Sequence, residues 1–131
     1  MLFEQIGILD KTLTYRPNYY VGVRGDRIAY IGAKKPLEDF GTVYSGKGKL
    51  LMTGLINSHS HAPMTLLRGY GENLPLHQWL HDRIFPFEAQ LSPEDIYNGS
   101  MLAFGEMLRF GVTSTSEMYY MGEALGQAVL D

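Results

Sequence analysis

The sequence predicts an α/β protein: a β-rich N-terminal segment followed by parallel βα units. Three observations predict it. A Gly-Asp pair (Gly25-Asp26) sits between two β-rich runs, as in a hairpin. From Gly54 onward, strand-like and helix-like runs alternate, which is the order that builds a parallel sheet. The composition is globular, with 45% hydrophobic and 19% charged residues in 131 positions.

The β-rich segment begins with Phe3 to Leu9, a short apolar strand. Tyr19 to Val23 and Ile28 to Ile31 follow, joined by Arg24-Gly25-Asp26-Arg27. Lys34-Lys35-Pro36 and Gly46-Lys47-Gly48 are polar connections rich in breakers, and Val43-Tyr44 and Leu50-Leu51-Met52 each extend the sheet. Leu55-Ile56-Asn57-Ser58 is a short run leading straight into two histidines. Leu76 to about Ala89 reads as a helix interrupted near Pro86. Ser92-Pro93-Glu94-Asp95 is a helix start. Ser92 caps, Pro93 suits the first helical position, and the acidic pair favours the positive end of the helix dipole. Ile96, Ser100, Ala103, Phe104, Met107 and Leu108 then recur at spacings of three and four, one core stripe. Gly111 is placed as a C-terminal cap. Val112 to Ser116, rich in β-branched residues, reads as a strand, and Gly122 to Leu130 as a further helix. The predicted division is a β-rich segment 1–53 and a βα segment 54–131.

Charge and composition narrow the function classes. The net charge of -3 comes without basic clusters, which argues against a nucleic-acid or anionic-membrane partner. No run is apolar for long enough to span a bilayer, and the first residues lack a basic leader, so a cytoplasmic location is expected. Zero cysteines exclude disulfides and thiolate metal sites, leaving His, Asp and Glu for any metal chemistry.

His59 and His61 stand at i, i+2. On a strand that spacing points both imidazoles to one face. They follow the Leu55–Ser58 run at its C-terminal end, where βα barrels carry their chemistry. Neutral imidazole is a common zinc ligand, though a bare His-x-His is more often a polar strand end. His77 and His81, at i, i+4 on the predicted helix, read as a solvated face without a third ligand. By residue type alone, Trp79 is as much packing as ligand contact, and Glu88 is a surface charge. Tyr119 and Tyr120 read equally as core or pocket rim. Arg68 reads either as an anion contact or as half of a local ion pair.

Gly54-Leu55-Ile56-Asn57-Ser58-His59-Ser60-His61 resembles the first-strand metal motif of the amidohydrolase superfamily. The resemblance continues through Ala62-Pro63-Met64-Thr65-Leu66-Leu67-Arg68-Gly69, Leu74-Pro75-Leu76, Gln78-Trp79-Leu80 and Phe85-Pro86-Phe87-Glu88. It reaches Glu106-Met107-Leu108, Gly111-Val112-Thr113 and Met118-Tyr119. It is nearest to the branch holding the 5'-methylthioadenosine/S-adenosylhomocysteine deaminases and the triazine hydrolases. Two positions depart from the family pattern: Thr53, where Pro is usual, and Glu117, where Asp is common. Neither is a metal ligand.

The resemblance implies part of a flanking β-sandwich plus the first two βα units of a (β/α)8 metal-dependent hydrolase barrel, incomplete in this chain. Such a barrel takes about 250 residues. It implies one divalent ion, zinc, with His59 and His61 as two ligands. Two further His, an Asp and an acid/base Glu come from later strands outside these residues. It implies zinc-activated hydroxide releasing ammonia from an amino-heterocycle such as an adenosine-type nucleoside. Trp79 matches a residue lining the nucleoside pocket, and Glu88 a carboxylate that hydrogen-bonds the ribose hydroxyls. The same attack serves a triazine-type chlorohydrolase. The chain alone is expected to be inactive, with the barrel completed by a longer reading frame or a partner chain, and family members commonly form homo-oligomers. A different class is a non-catalytic fragment, which would need none of the later ligands.

Overall fold

The computed structural model describes residues 1–131, and the chain divides into two compact units, Met1–Thr53 and Gly54–Asp131. The first unit is a five-stranded sheet. Its strands are β1 (Leu2–Leu9), β2 (Tyr15–Arg24), β3 (Arg27–Gly32), β4 (Val43–Ser45) and β5 (Leu50–Leu51). The order is β3-β2-β1-β4, with β5 also on β1; β2 runs antiparallel to β1, and β4 and β5 run parallel to it. The β2–β3 connection is the expected hairpin, and Gly25 supplies its positive φ of 56°. Ile6, Ile8 and Val21 form the buried centre, with Phe3, Tyr19 and Leu51 packed on it.

β2 begins at Tyr15, four residues before the predicted Tyr19, and so takes in Pro17. A proline cannot donate to a ladder, so it needs an irregularity. The register supplies one: Ile6 pairs Tyr19 while Ile8 pairs Arg16, and Asn18 adopts a φ of 57°. The β1–β2 connection is organised by Asp10. Its Oδ1 accepts the backbone N–H groups of Thr12 and Thr14 at 2.9 and 3.0 Å, and the Thr12 hydroxyl at 2.6 Å. These bonds, the Thr12 hydroxyl first, hold the Asp10 carboxyl well below the usual carboxylate range.

The second unit carries the parallel pair β6 (Leu55–Ser60) and β7 (Val112–Glu117). After β6 comes a 3₁₀ segment, Ala62–Leu67, then α1 (Leu76–Trp79), a π turn (Leu80–Ile84) and α2 (Phe85–Glu88). α3 (Pro93–Arg109) leads into β7, and α4 (Gly122–Leu130) follows. The predicted interruption at Pro86 lies one turn earlier. Pro86 has no N–H for the carbonyl four residues back, and the wide π turn absorbs that lost bond without breaking the rod.

α3 starts as predicted. Ser92 and Asp95 form a reciprocal capping box, with Asp95 Oδ2 accepting Ser92 N–H at 2.8 Å and Ser92 Oγ accepting Asp95 N–H at 3.3 Å. Gly111, at a φ of 80°, donates its N–H to Leu108 O and ends the helix. Ile96, Ser100 and Ala103 are buried as the stripe requires, and the Ser100 hydroxyl is satisfied by Ile96 O at 2.6 Å. Leu108 departs from it: it is 67% exposed, because the helix buries its Ile96–Ala103 face and Leu108 lies off that face near the helix end.

α3 also receives the chain leaving the histidines. Thr65 Oγ1 lies 2.8 Å from Gly99 O and 3.1 Å from Ala62 O. A Cβ on Gly99 would come within 2.9 Å of Pro63 O and 3.0 Å of Leu66 Cγ. Helix propensity alone would favour Ala over Gly by about 1 kcal/mol. Overpacking costs about 1–3 kcal/mol, and a backbone oxygen cannot swing aside. Gly99→Ala is therefore expected to destabilise the protein, read as a lower urea midpoint; a raised midpoint would contradict this packing.

Candidate metal and substrate site

The site is built on the C-terminal end of β6. Alternation along β6 turns Asn57 and His59 to one face and the buried Ser60 to the other, and His61, just past the strand end, carries its ring beside that of His59. Asn57 Oδ1 accepts the His59 backbone N–H at 3.3 Å. The two imidazoles sit edge to face, with ring centroids 5.1 Å apart and planes at 87°. His59 is exposed and His61 half-buried, so the pair is open to a ligand.

Tyr119 joins this pair to Glu88. Its ring lies 6.2 Å from that of His61, edge to face, and its hydroxyl donates to Glu88 Oε1 at 2.6 Å. Tyr120, stacked on Tyr119, donates its hydroxyl to the Glu88 backbone carbonyl at 2.7 Å. Burial, and then the Glu88 hydrogen bond, push the Tyr119 phenol far above its ordinary value. It therefore stays protonated, and a donor, across the neutral range. His59, His61 and Glu88 thus fall on one continuous path, and Tyr119 is its middle. Only the pairing of distant segments reveals that role, because Tyr119 and Glu88 are 31 residues apart.

Trp79 is tied to a different neighbour. Its indole N–H donates weakly, at 3.4 Å, to Tyr70 O, and its Cδ1 lies against Gly71. The Tyr70 ring in turn meets Phe87 at 5.4 Å, one residue before Glu88. Trp79 and Glu88 therefore share one local framework, residues 70–88. Arg68 resolves as an ion pair: its guanidinium bonds both Glu106 carboxylate oxygens at 3.0 and 2.7 Å. His77 and His81 stack at 4.2 Å on an exposed face.

No cluster of three or more His, Cys, Asp or Glu forms in the chain. The donor set around β6 still has the right chemistry for part of a metal site: two uncrowded imidazoles at one strand end. A cavity of about 340 Å³ lies beside His61, lined by Ser60, Ala62 and Thr65 from one side and Ala103 and Met107 from the other. A larger one, about 690 Å³, lies away from the histidines among α3, β7 and α4, and its walls are mostly apolar. The larger cavity has one titratable residue in its lining, Asp131, and no histidine.

Residues 50–131 match the Amidohydrolase family, which is more than half of the chain. The chain belongs to that family. Among curated relatives, a 5-methylthioadenosine/S-adenosylhomocysteine deaminase of Halothermothrix orenii is 45% identical over 111 residues, covering 81% of this chain and 26% of the relative. A 5'-deoxyadenosine deaminase of Methanosarcina mazei is 46% identical over 109 residues, covering 83% and 25%. The chain thus spans about a quarter of the length of the curated relatives it matches. Among solved structures, a zinc-bound adenosine deaminase from Xanthomonas campestris superposes with a TM-score of 0.85 at 33% identity, covering 98% of this chain and 31% of that one. Atrazine chlorohydrolase from Arthrobacter aurescens, complexed with zinc, also reaches 0.85, at 18% identity over 99% of this chain and 33% of that one, a likeness of fold. No helix of this amidohydrolase is long and apolar enough to cross a membrane.

Proposed function

We propose that this chain carries the first two metal ligands and part of the substrate pocket of a zinc-dependent aminohydrolase acting on adenosine-type nucleosides. The single observation that carries the reading is the continuous path from the His59–His61 pair through Tyr119 to Glu88. It supports reading the histidine pair and the Glu88 carboxylate as parts of one site. The deaminase relatives, named for adenosine-type substrates, support the same assignment. A bound zinc ion supplies water activated to hydroxide near neutral pH. The remaining ligands and the acid/base carboxylate come from later strands of the barrel, since zinc sites use three or four protein ligands.

The chain's own residues do the rest. His59 and His61 each present a ring nitrogen from one rigid strand end. Glu88 accepts the two hydroxyls of a ribose diol. A carboxylate has about four lone-pair positions, and Tyr119 uses one of them. The Tyr119 bond also fixes the carboxylate rotamer before substrate arrives, which lowers the ordering cost of binding. Trp79, held against the Tyr70–Gly71 backbone, offers an aromatic wall to the base. The substrate is a small amino-heterocycle; completion of the barrel by the continuing chain or by a partner subunit is part of this proposal.

Glu88→Ala is expected to weaken adenosine-type substrates by roughly 1–3 kcal/mol in kcat/KM through the lost diol bonds. The check is a comparison of 5'-methylthioadenosine with its 2',3'-dideoxy analogue in both enzymes. The variant should lose its preference for the diol. An unchanged preference would show that Glu88 does not read the ribose and would leave the triazine-type alternative standing.

A further inference from the structure

Glu117 is the last residue of β7, and it pairs in register with Ser60 of β6. Its carboxylate takes two backbone donors. Oε2 accepts the Ala62 N–H at 2.8 Å and Oε1 accepts the Met118 N–H at 3.0 Å. The Met118 N–H also reaches Ser60 O at 3.3 Å. Both peptide neighbours of His61 are therefore held by residues 117 and 118: Ser60 through its carbonyl, Ala62 through its amide. Ser60 and Ala62 are themselves buried.

His61 needs such support. It is the bend between β6 and the 3₁₀ segment, with φ -131° and ψ 67°, a conformation neither helical nor extended. It also stands at the cap position of that segment, where Ser, Thr, Asp or Asn would ordinarily accept a free amide. The His61 side chain makes no cap bond. Glu117 provides the acceptor for the Ala62 amide, the first of that segment, from the neighbouring strand, 55 residues away. The His61 imidazole lies beside that of His59.

We propose that Glu117 is a positioning residue for the two-histidine strand end: by capping Ala62 from β7, it sets the backbone from which the His61 ring leaves. This rests on the reading of His59 and His61 as metal ligands.

The test uses the full-length gene product with Glu117→Ala, Glu117→Gln and His59→Ala. Zinc affinity is measured by competition with a chromophoric chelator. The cobalt-substituted proteins give a visible absorption spectrum that reports ligand geometry. Far-UV circular dichroism and the urea midpoint report the fold. Glu117→Ala is expected to weaken zinc binding about 10-fold or more, the size found for groups that orient ligands, and to alter the cobalt spectrum. Glu117→Gln keeps one acceptor oxygen at the same reach, so it should recover most of the affinity and the native spectrum. Should Glu117→Ala fail to fold, Glu117→Met, which keeps the length and loses both acceptors, takes its place: weakened zinc binding with an altered spectrum supports the proposal, and native affinity and spectrum overturn it. If the parent binds zinc, His59→Ala loses it, and Glu117→Ala keeps native affinity and spectrum, the positioning role is overturned while the ligand assignment stands. If the parent itself binds no zinc, both fail together.

Discussion

His59→Ala is expected to remove stoichiometric zinc from the purified full-length protein and to reduce turnover to background. Donor number sets this outcome. A catalytic zinc site has three or four protein ligands, and on the proposed reading His59 and His61, whose rings lie 5.1 Å apart, are two of them. Deleting one leaves an ion held by groups on separate strands, without the pair at the β6 end. The cost falls on affinity first, so metal analysis after dialysis is the primary readout and activity the secondary one. His77→Ala is the matched control. That imidazole stacks on His81 on an exposed helical face, and no cluster of three donors forms there. It should keep full zinc. Full occupancy in His59→Ala, or loss in His77→Ala, would move the metal elsewhere.

Ile96→Ala should destabilise the second unit by about 2–5 kcal/mol, the range for truncating a fully buried aliphatic side chain. Ile96 is 0% exposed and belongs to the core cluster with Ala62, Ala103 and Leu125, against which Phe104 and Tyr119 pack. Its α3 neighbour Gly99 already admits the 3₁₀ segment to near contact, so there is little room for collapse into the cavity. The effect reaches the site by a short route. Ala62 directly follows His61, and Tyr119 carries the bond to Glu88. Urea denaturation followed by circular dichroism measures the first part. A shift below about 1 kcal/mol would mean the cluster repacks and does not serve as the platform of the site.

The parts of the fold legible in the sequence are those that depend on near neighbours. The α3 start could be read from Ser92 and Asp95 because a capping box is closed within one turn. The closeness of the His59 and His61 rings is legible in their i, i+2 spacing at a strand end. The hairpin at Gly25-Asp26 is local in the same sense. What escaped is what requires knowing which strands and loops meet. The early start of β2 depends on an irregular register opposite β1 that makes room for Pro17. The exposure of Leu108, despite its place in an apolar stripe, depends on which face of α3 the rest of the unit covers. The roles of Tyr119 and Glu117 depend on hydrogen bonds across 31 and 55 residues, and no periodicity encodes those. A weak signal for Glu117 did exist: it is a carboxylate at the C-terminal end of a β-branched strand, the end where barrels of this kind place their chemistry.

The most direct test of the central claim is ammonia release from 5'-methylthioadenosine by the zinc-loaded full-length protein, followed together with the loss of adenine absorbance. One ammonia per nucleoside converted is expected, with loss of activity on chelation and recovery when zinc is restored. A folded, zinc-loaded protein that releases no ammonia from any adenosine-type nucleoside would contradict it. Chloride released from a chlorotriazine by that same preparation would assign the site to the other leaving group.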